Sequence, residues 1–271
     1  MRIGIIGAGV MGSSIVKRLL EKGVARADEV FVSDIDFGKL EKLWKETGAR
    51  TFRDNSLVAK EAEVLIICVK PQQMAEALAS LKHSITPNHL VISIAAGVRI
   101  GAIERGLKEG TRVIRAMPNQ ACLIGLSATA FSLGRNATEE DRSKAEMIFS
   151  SFGRAFLVKE EMLDAVTGLS GSGPAYAYAV IDAMAEGGVE AGLPRETAIA
   201  LAAQTLLGAA TMVLETNRSP DELAKLVATP GGTTEAGMRV LEEGGFRNLL
   251  VRAVVRATER SKEISSLFIE M

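Results

Sequence analysis

The sequence predicts an α/β protein in which a doubly wound parallel sheet is followed by an all-α C-terminal half. Up to about residue 160, short apolar runs alternate with helix-length amphipathic segments, which is typical of a parallel sheet covered by helices on both faces. Beyond that point the strand-like runs stop and helix-length segments follow one another. We therefore predict two domains, residues 1–160 and residues 161–271.

Apolar runs bounded by turn-forming residues mark the strands. We expect the helix after the first strand to end at Gly23, and the next helix to be capped by Asp36 and ended by Gly48. Asn55 is a plausible cap of a third helix. The predicted central strands are residues 2–6, 29–33, 64–69, 90–94 and 113–115, with 127–133 and 155–158 added at an edge. The predicted C-terminal helices lie near residues 174–191, 195–214, 221–226, 234–243 and 247–268.

Composition limits the possible partners. The 271 residues are 47% hydrophobic and 24% charged with a net charge of −1, and neither basic runs nor basic patches with interleaved aromatic residues occur, so nucleic acid and anionic membrane are not expected partners. Cys68 and Cys122 are too few for a disulfide framework, and the first strand begins too early for a signal peptide, which predicts a cytoplasmic protein with reduced thiols. With only His83 and His89, and no cluster of ligands at metal spacing, we expect no metal site.

The first strand runs directly into a glycine-rich turn at the start of a helix. One glycine suits the tight bend, one allows backbone to approach a pyrophosphate, and one allows close packing of helix on strand. The helix N-terminus then offers unpaired N–H groups and a positive dipole end to the diphosphate. This predicts a Rossmann-type dinucleotide-binding domain. The predicted cofactor-binding residues of this turn are Gly7, Ala8, Gly9, Val10, Met11 and Gly12.

Other cofactor contacts are expected where the strands end, because ligands of such sheets bind outside the carboxyl ends of the strands. Asp34 lies where an acid accepts from a ribose 2′-OH, and Ser33 precedes it. Pro and Gly at these positions also fit loops without any ligand, an alternative that the sequence leaves open. The residues assigned to this rim are Asn55, Val69, Lys70, Pro71, Ala95, Ala96 and Gly97.

The helical half contains one segment that is too apolar for a surface helix. Residues 197–214 carry no formal charge over 18 positions, but the segment is rich in Ala and includes Thr, Gln and Gly, so a helix buried in protein is expected rather than one in lipid. A helical domain of residues 161–271 is too small to bury this apolar helix by itself. We therefore expect a homodimer, or a larger assembly of dimers, built on the helical half.

Two glycine-rich stretches open helices in the second half. Residues 168–174 fit a hinge between domains as well as a site, with Ser172 as cap and Pro174 in the first turn. Residues 228–234 place exposed backbone N–H groups at a helix N-terminus, which suits a carboxylate, with a Thr233 or Thr234 hydroxyl beside it. A plain capping loop is the alternative.

Several motifs together resemble one family, the pyrroline-5-carboxylate reductases. The N-terminal turn alone would fit many families, whereas the motif at 230–234 is specific, and the resemblance covers essentially the whole chain. The matching motifs are the turn at 7–12, Val-Lys-Pro at 69–71, Ala-Ala-Gly at 95–97, Arg-Ala-Met-Pro-Asn at 115–119, Gly-Ser-Gly-Pro-Ala-Tyr at 171–176 and Pro-Gly-Gly-Thr-Thr at 230–234.

The resemblance implies reduction of Δ1-pyrroline-5-carboxylate to proline by hydride from NADPH or NADH, the last step of proline synthesis. It implies that Thr234 hydrogen-bonds the ring nitrogen and is the catalytic residue, and that Val227 and Thr229 line the same pocket. The substrate carboxylate is expected at the helix N-terminus formed by Gly231, Gly232 and Thr233. A cyclic imine is basic enough to arrive protonated, so no strong general acid is needed, in keeping with a chain that has two histidines.

Cofactor preference and some alternatives stay open at this stage. The family most often uses NADPH, whereas Asp34 favours NADH; Ser33, Lys39 or Arg53 could still accept a 2′-phosphate, and we expect both cofactors to work. β-Hydroxyacid dehydrogenases share the N-terminal turn but carry a catalytic lysine where this chain has Ala177, and no lysine occurs from residue 168 to 223. Another imine reductase or a non-catalytic nicotinamide sensor are the remaining alternatives. The sequence does not give the number of subunits beyond two, the ring size accepted or feedback by proline.

Overall fold

The computed structural model describes residues 1–268 and divides into two compact units. The first unit contains residues 1–172 together with the C-terminal segment from residue 255, and the second is Gly173–Val254. The last helix of the chain therefore begins in one unit and ends in the other. The predicted boundary after residue 160 stays a prediction.

An eight-stranded sheet forms the centre of the first unit, in the order β3-β2-β1-β4-β5-β6-β7-β8. Strands β1 to β6 are parallel, β7 runs antiparallel to β6, and β8 is parallel to β7. The predicted Rossmann-type class is confirmed. The strands are β1 Ile3–Ile6, β2 Val30–Ser33, β3 Arg50–Phe52, β4 Val64–Ile67, β5 Leu90–Ser93, β6 Arg112–Met117, β7 Ser127–Leu133 and β8 Gly153–Leu157.

Two strand features were not predicted. Strand β3 is a three-residue edge strand of mixed polarity, so it has no apolar run to mark it. Strand β7 reverses direction because only the short 3-10 helix Gln120–Ile124 connects it to β6, whereas a parallel connection needs a crossover of a dozen or more residues.

Seven α-helices before residue 172 surround the sheet and leave apolar cores on both of its faces. Asp36 caps the second helix by accepting from the Gly38 N–H, and Gly48 ends it in a left-handed conformation, as predicted. The predicted cap Asn55 is wrong: Asp54 is the N-cap of the third helix and accepts from the Ser56 N–H, so Asn55 is the first helical residue. The helices are α1 Val10–Glu21, α2 Phe37–Thr47, α3 Asn55–Glu61, α4 Met74–Leu81, α5 Ile100–Gly106, α6 Glu139–Ser150 and α7 Leu163–Val166.

The second unit is helical throughout. Its elements are α8 Gly173–Glu190, α9 Arg195–Thr216, α10 Pro220–Val227, α11 Thr233–Glu243 and the first part of α12 Phe246–Ser266. Helix α9 packs on α8 through the buried Ala185, Ala198 and Ala202, but most of its large apolar side chains, such as Leu207 at 52% exposure, lie open in the single chain. Helix α9 is also long and apolar enough to cross a membrane, a property that a single helix of a protein interior can share.

Candidate functional site

The glycine-rich turn after β1 leaves a helix N-terminus open. Gly7 has φ +105°, and a Cβ on Gly12 would collide with the Gly7 carbonyl oxygen, so the helix packs this close to the strand only with glycine there. Gly9 is the N-cap of α1 and provides no side chain. Among the described residues, no acceptor takes the N–H groups of Val10, Met11 and Gly12. These free donors at the positive end of the α1 dipole suit a pyrophosphate.

Asp34 follows β2 and contacts this turn. Its Oδ2 accepts from the Ala8 N–H at 2.8 Å and its Oδ1 accepts from the Asp36 N–H at 2.8 Å, while the Lys39 Nζ is 3.9 Å from Oδ1. The side chain is 11% exposed. The carboxylate therefore ties the turn to the end of β2 and still presents one edge to a ligand.

A chain of side-chain hydrogen bonds continues from the end of β2. The Ser33 hydroxyl donates to Asn55 Oδ1 at 2.6 Å, the Asn55 amide donates to the Ser80 hydroxyl at 2.9 Å, and Ser80 donates to the Ala77 carbonyl. Asn55 is thus held between β2 and α4, which explains why it is not available as a helix cap.

A cavity of about 390 Å³ opens at this edge of the sheet. Asp54 is one of the residues that line the cavity. Hydrogen bonds from the Ser56 N–H and hydroxyl keep the pKa of the Asp54 carboxyl below the usual value. The Arg53 guanidinium lies over the Phe37 ring, 5.4 Å from its centroid. The predicted cofactor residues that line the cavity are Gly7, Gly9, Ser33, Asp34, Asn55, Val69 and Lys70. The lining residues that no sequence pattern predicted include Gln73, Glu76 and Ser80, on and just before α4.

The remaining predicted cofactor residues lie beside the cavity rather than in its lining. Ala8, Val10, Met11 and Gly12 belong to the turn and to the first residues of α1, and Pro71 begins a short 3-10 helix after β4. Ala95, Ala96 and Gly97 follow β5, and Gly97 has φ +80°.

The polar side chains of the motif at 115–119 bond other segments of the first unit. Arg115, only 3% exposed, donates to Glu160 Oε1 at 3.3 Å. Asn119 caps the short 3-10 helix after β6 and donates from Nδ2 to the Ser170 carbonyl at 3.0 Å. Ser170 lies in the π-helical turn Thr167–Gly171, which contains the first part of the glycine-rich stretch at 168–174, so this hydrogen bond joins the two motifs.

The second predicted site is the loop between α10 and α11. Val227 ends α10 and is exposed; Gly231 has φ +70°, and Gly232 is the N-cap of α11, again without a capping side chain. A Cβ on Gly232 would collide with the Thr229 hydroxyl. Thr233 and Thr234 are the first two residues of α11, so the six predicted substrate residues lie between the last residue of α10 and the start of α11.

Two of the predicted carboxylate donors are already engaged in this structure. The Gly232 N–H donates to the Thr229 carbonyl at 2.9 Å, and the Gly231 N–H donates to the Glu235 carboxylate. Within residues 1–268 no acceptor takes the N–H groups of Thr233, Thr234 and Glu235. The helix start therefore offers three free donors, with the Glu235 carboxylate beside them. Glu235 was not among the predicted site residues, although a carboxylate in the first turn of a helix is itself a capping signal.

Neither histidine belongs to these sites. The His89 ring is held by Thr86 and by the Ala59 carbonyl, between α3 and the strand β5. Within residues 1–268, no group of three or more His, Cys, Asp or Glu side chains is arranged to hold a metal ion.

Family models and relatives cover both halves of the chain. Residues 160–264 match the family model described as pyrroline-5-carboxylate reductase dimerisation, and residues 2–97 match that of the coenzyme F420-dependent NADP oxidoreductases. The chain is 47% identical to a pyrroline-5-carboxylate reductase of Methanosarcina acetivorans over 97% of each chain.

Solved structures agree with this result. A pyrroline-5-carboxylate reductase of Coxiella burnetii matches with a TM-score of 0.92 and 36% identity, over 97% of this chain and 98% of that one. A pyrroline carboxylate reductase of Plasmodium falciparum with NADP bound matches with a TM-score of 0.88 and 28% identity, over 98% of both chains.

Proposed function

Because the chain belongs to the pyrroline-5-carboxylate reductase family, we propose that it reduces the C=N bond of Δ1-pyrroline-5-carboxylate to give proline with NAD(P)H. The observation that carries the proposal for the site is the start of α11, where three N–H groups without an acceptor in residues 1–268 stand next to the Thr234 hydroxyl. Such a start suits a small ligand with a carboxylate and a nitrogen close together.

The residues around the first unit's cavity fit a dinucleotide. The free N–H groups of Val10, Met11 and Gly12 suit its pyrophosphate, and no atom lies within 4 Å of the position that a Cβ on Gly9 would take, so a ligand can approach the backbone there. When bound, the nicotinamide cofactor supplies the hydride. We propose that Asp34 accepts from the adenosine ribose and that Ser33 and Asn55 complete this part of the site.

Both cofactors are proposed to work, with Asp34 favouring NADH. A 2′-phosphate would approach a nearly buried carboxylate, but Lys39 and Arg53 stand at the same place and offset part of that repulsion. The preference follows from the balance of these charges.

In the second unit we propose that the N–H groups at the start of α11 bind the substrate carboxylate. The Thr234 hydroxyl hydrogen-bonds the ring nitrogen and orients it, and Val227 and Thr229 line the pocket. Gly231 and Gly232 give the loop the shape that exposes these donors. Because the imine is protonated before it binds, the protein needs to orient it rather than to donate a proton.

The test is nicotinamide oxidation with Δ1-pyrroline-5-carboxylate as substrate. We expect Thr234→Ala to lower kcat/KM for this substrate by one to two orders of magnitude, roughly 1.4–3 kcal/mol, with little change in the KM of the nicotinamide. Thr47→Ala, at the end of α2 remote from Asp34, is the matched control because its hydroxyl bonds only nearby backbone, donating to the Leu43 carbonyl and accepting from the Ala49 N–H. Full activity in Thr234→Ala would remove this residue from the mechanism.

The alternatives predict other outcomes of the same assay. A β-hydroxyacid dehydrogenase would oxidise hydroxyacids, but α8 has Ala177 where that chemistry needs a lysine. A general imine reductase would turn over six-membered cyclic imines equally well, and a nicotinamide sensor would bind the cofactor without turnover.

The protein is a homodimer through its helical half, which carries the dimerisation domain, and α9 with its exposed apolar surface lies inside that domain. An assembly of several dimers stays open. The protein is a soluble enzyme of proline biosynthesis, and we propose that it works in the cytoplasm, where its two free thiols stay reduced.

A further inference from the structure

The C-terminal half of α12 belongs to the first unit and is held by polar groups of that unit. Its two buried residues are both serines, Ser261 at 5% and Ser265 at 1% exposure, one helical turn apart. Both hydroxyls donate to the same oxygen of Asp164, Oδ1, at 2.6 Å and 3.2 Å. Phe268, just beyond the helix, packs on the apolar core that contains Val98 and Ile100.

Asp164 on α7 is itself only 3% exposed. The Arg99 guanidinium lies 4.0 Å from Oδ2, and this arginine is half exposed. A carboxylate buried to this degree depends on its hydrogen-bond donors, since an unpaired charge in the protein interior is costly. The two serines are therefore specific partners and not merely small residues at a packed surface.

This attachment brings α12 against the loop that follows β5. A Cβ on Gly97 would lie 3.0 Å from Ile264 Cγ2 and 3.5 Å from the Ser265 nitrogen, and the φ of +80° also favours glycine. At the other end of the loop, Glu160 accepts from the Ile100 N–H at 2.7 Å and from Arg115. The backbone from 97 to 100 is thus fixed at both ends, at one of them by the helix that Asp164 holds.

We propose that Asp164 is a positioning residue for the dinucleotide. Through Ser261 and Ser265 it seats α12 on Gly97 and so fixes the backbone of the segment Ala95–Gly97. The inference rests on the proposed function in one respect, namely that this segment contacts the bound cofactor.

The experiment measures the Kd of NADH and NADPH by fluorescence titration, together with steady-state kinetics and the melting temperature. For the double variant Ser261→Ala/Ser265→Ala we expect a Kd and a nicotinamide KM about tenfold higher, equal to about 1.4 kcal/mol. The KM of the imine substrate and kcat are expected to change less than about twofold. Asp164→Ala should show the larger effect, and Asp164→Asn should restore much of the binding because its amide oxygen still accepts from a serine.

Two controls separate positioning from stability. Ser266→Ala alters the neighbouring exposed serine, whose hydroxyl donates to the Glu263 carbonyl and to no other group within residues 1–268, and it should leave every value unchanged. Asp141→Asn alters another fully buried carboxylate of the same unit, which pairs with Arg112 and caps α6. It should lower the melting temperature without changing the Kd of the nicotinamide.

The inference is overturned if the double serine variant melts lower but binds the cofactor as tightly as the wild type, because Asp164 would then be structural only. Should Asp164→Ala fail to fold, the milder double variant still decides. A wild-type protein that binds nicotinamide but does not reduce the imine would contradict the proposed function instead, and the binding measurements would still test Asp164.

Discussion

Replacing Asp34 with asparagine removes one charge from the cofactor cavity while nearly preserving the shape of the side chain. The carboxylate accepts from the Ala8 and Asp36 N–H groups, and an asparagine oxygen can retain one of these bonds. Losing the other loosens the glycine-rich turn for NADH and NADPH alike. The ratio of kcat/KM for NADPH to that for NADH cancels this common loss, so we take the ratio as the readout.

The expected change in this ratio can be estimated from the charges around Asp34. Two like charges about 4 Å apart repel by roughly 4 kcal/mol at an effective dielectric constant of 20. The Lys39 Nζ, 3.9 Å from Asp34 Oδ1, offsets part of this at the same range. We therefore expect removal of the charge to favour NADPH by about 1.4–2.8 kcal/mol, or ten- to a hundredfold. NADH loses a hydrogen bond to a charged acceptor, which moves the ratio further in the same direction.

The assay is initial-rate kinetics with each cofactor at saturating Δ1-pyrroline-5-carboxylate, at two salt concentrations. Asp36→Asn is the matched control: it removes a charge of the same sign two residues away, and asparagine still caps α2. The control should move the ratio less than about threefold, because Asp36 is half exposed and its charge is screened. If the wild type prefers NADPH tenfold or more and Asp34→Asn leaves that preference unchanged, the assignment of cofactor choice to Asp34 is refuted.

Three further predictions concern single residues. Gly12→Ala adds a Cβ that must displace the Gly7 carbonyl, so nicotinamide binding should weaken about a hundredfold or more in a titration. The circular dichroism spectrum should stay unchanged. Tight binding by this variant would contradict the role of the turn. Glu235→Gln removes a negative charge beside the proposed carboxylate site and weakens the hydrogen bond to the Gly231 N–H. The KM of the imine should therefore fall about three- to tenfold at constant kcat. An unchanged KM would place the substrate elsewhere. Burial raises the pKa of the Cys122 thiol to about 11, so about a thousandth is thiolate at pH 8, and a thiol reagent should label it slowly in the native protein and fast after unfolding.

The sequence predicted the sheet wherever a strand is a buried apolar run. The four-residue strands β1, β2, β4 and β5 are buried at every position, and each was located within two residues of its ends. Edge strand β3 was missed because periodicity carries no signal over three residues. The direction of β7 was missed because it depends on the length of a connection and not on the strand itself.

The candidate sites were predictable to the extent that they lie within one motif. The glycine-rich turn and the loop before α11 are contiguous in sequence, so their residues came together in the prediction. Ser80 and Glu76 lie on α4 and reach the cavity only through the packing of α4 beside α3, which no local pattern indicates. The same applies to Asp164 and Ser265, which are 101 residues apart.

The way the helices begin connects the two proposed sites. Helices α2, α6 and α10 satisfy first-turn N–H groups with the side chains of Asp36, Thr138 and Ser219, whereas the N-caps of α1 and α11 are Gly9 and Gly232, which have no side chain that could accept. A glycine N-cap is only a few tenths of a kcal/mol worse than serine or aspartate, so leaving these donors open costs the fold little. A bound pyrophosphate or carboxylate can then use donors that a capping side chain would otherwise occupy. Backbone N–H groups thus supply binding that does not depend on titratable side chains, which agrees with a reaction whose substrate already carries its proton.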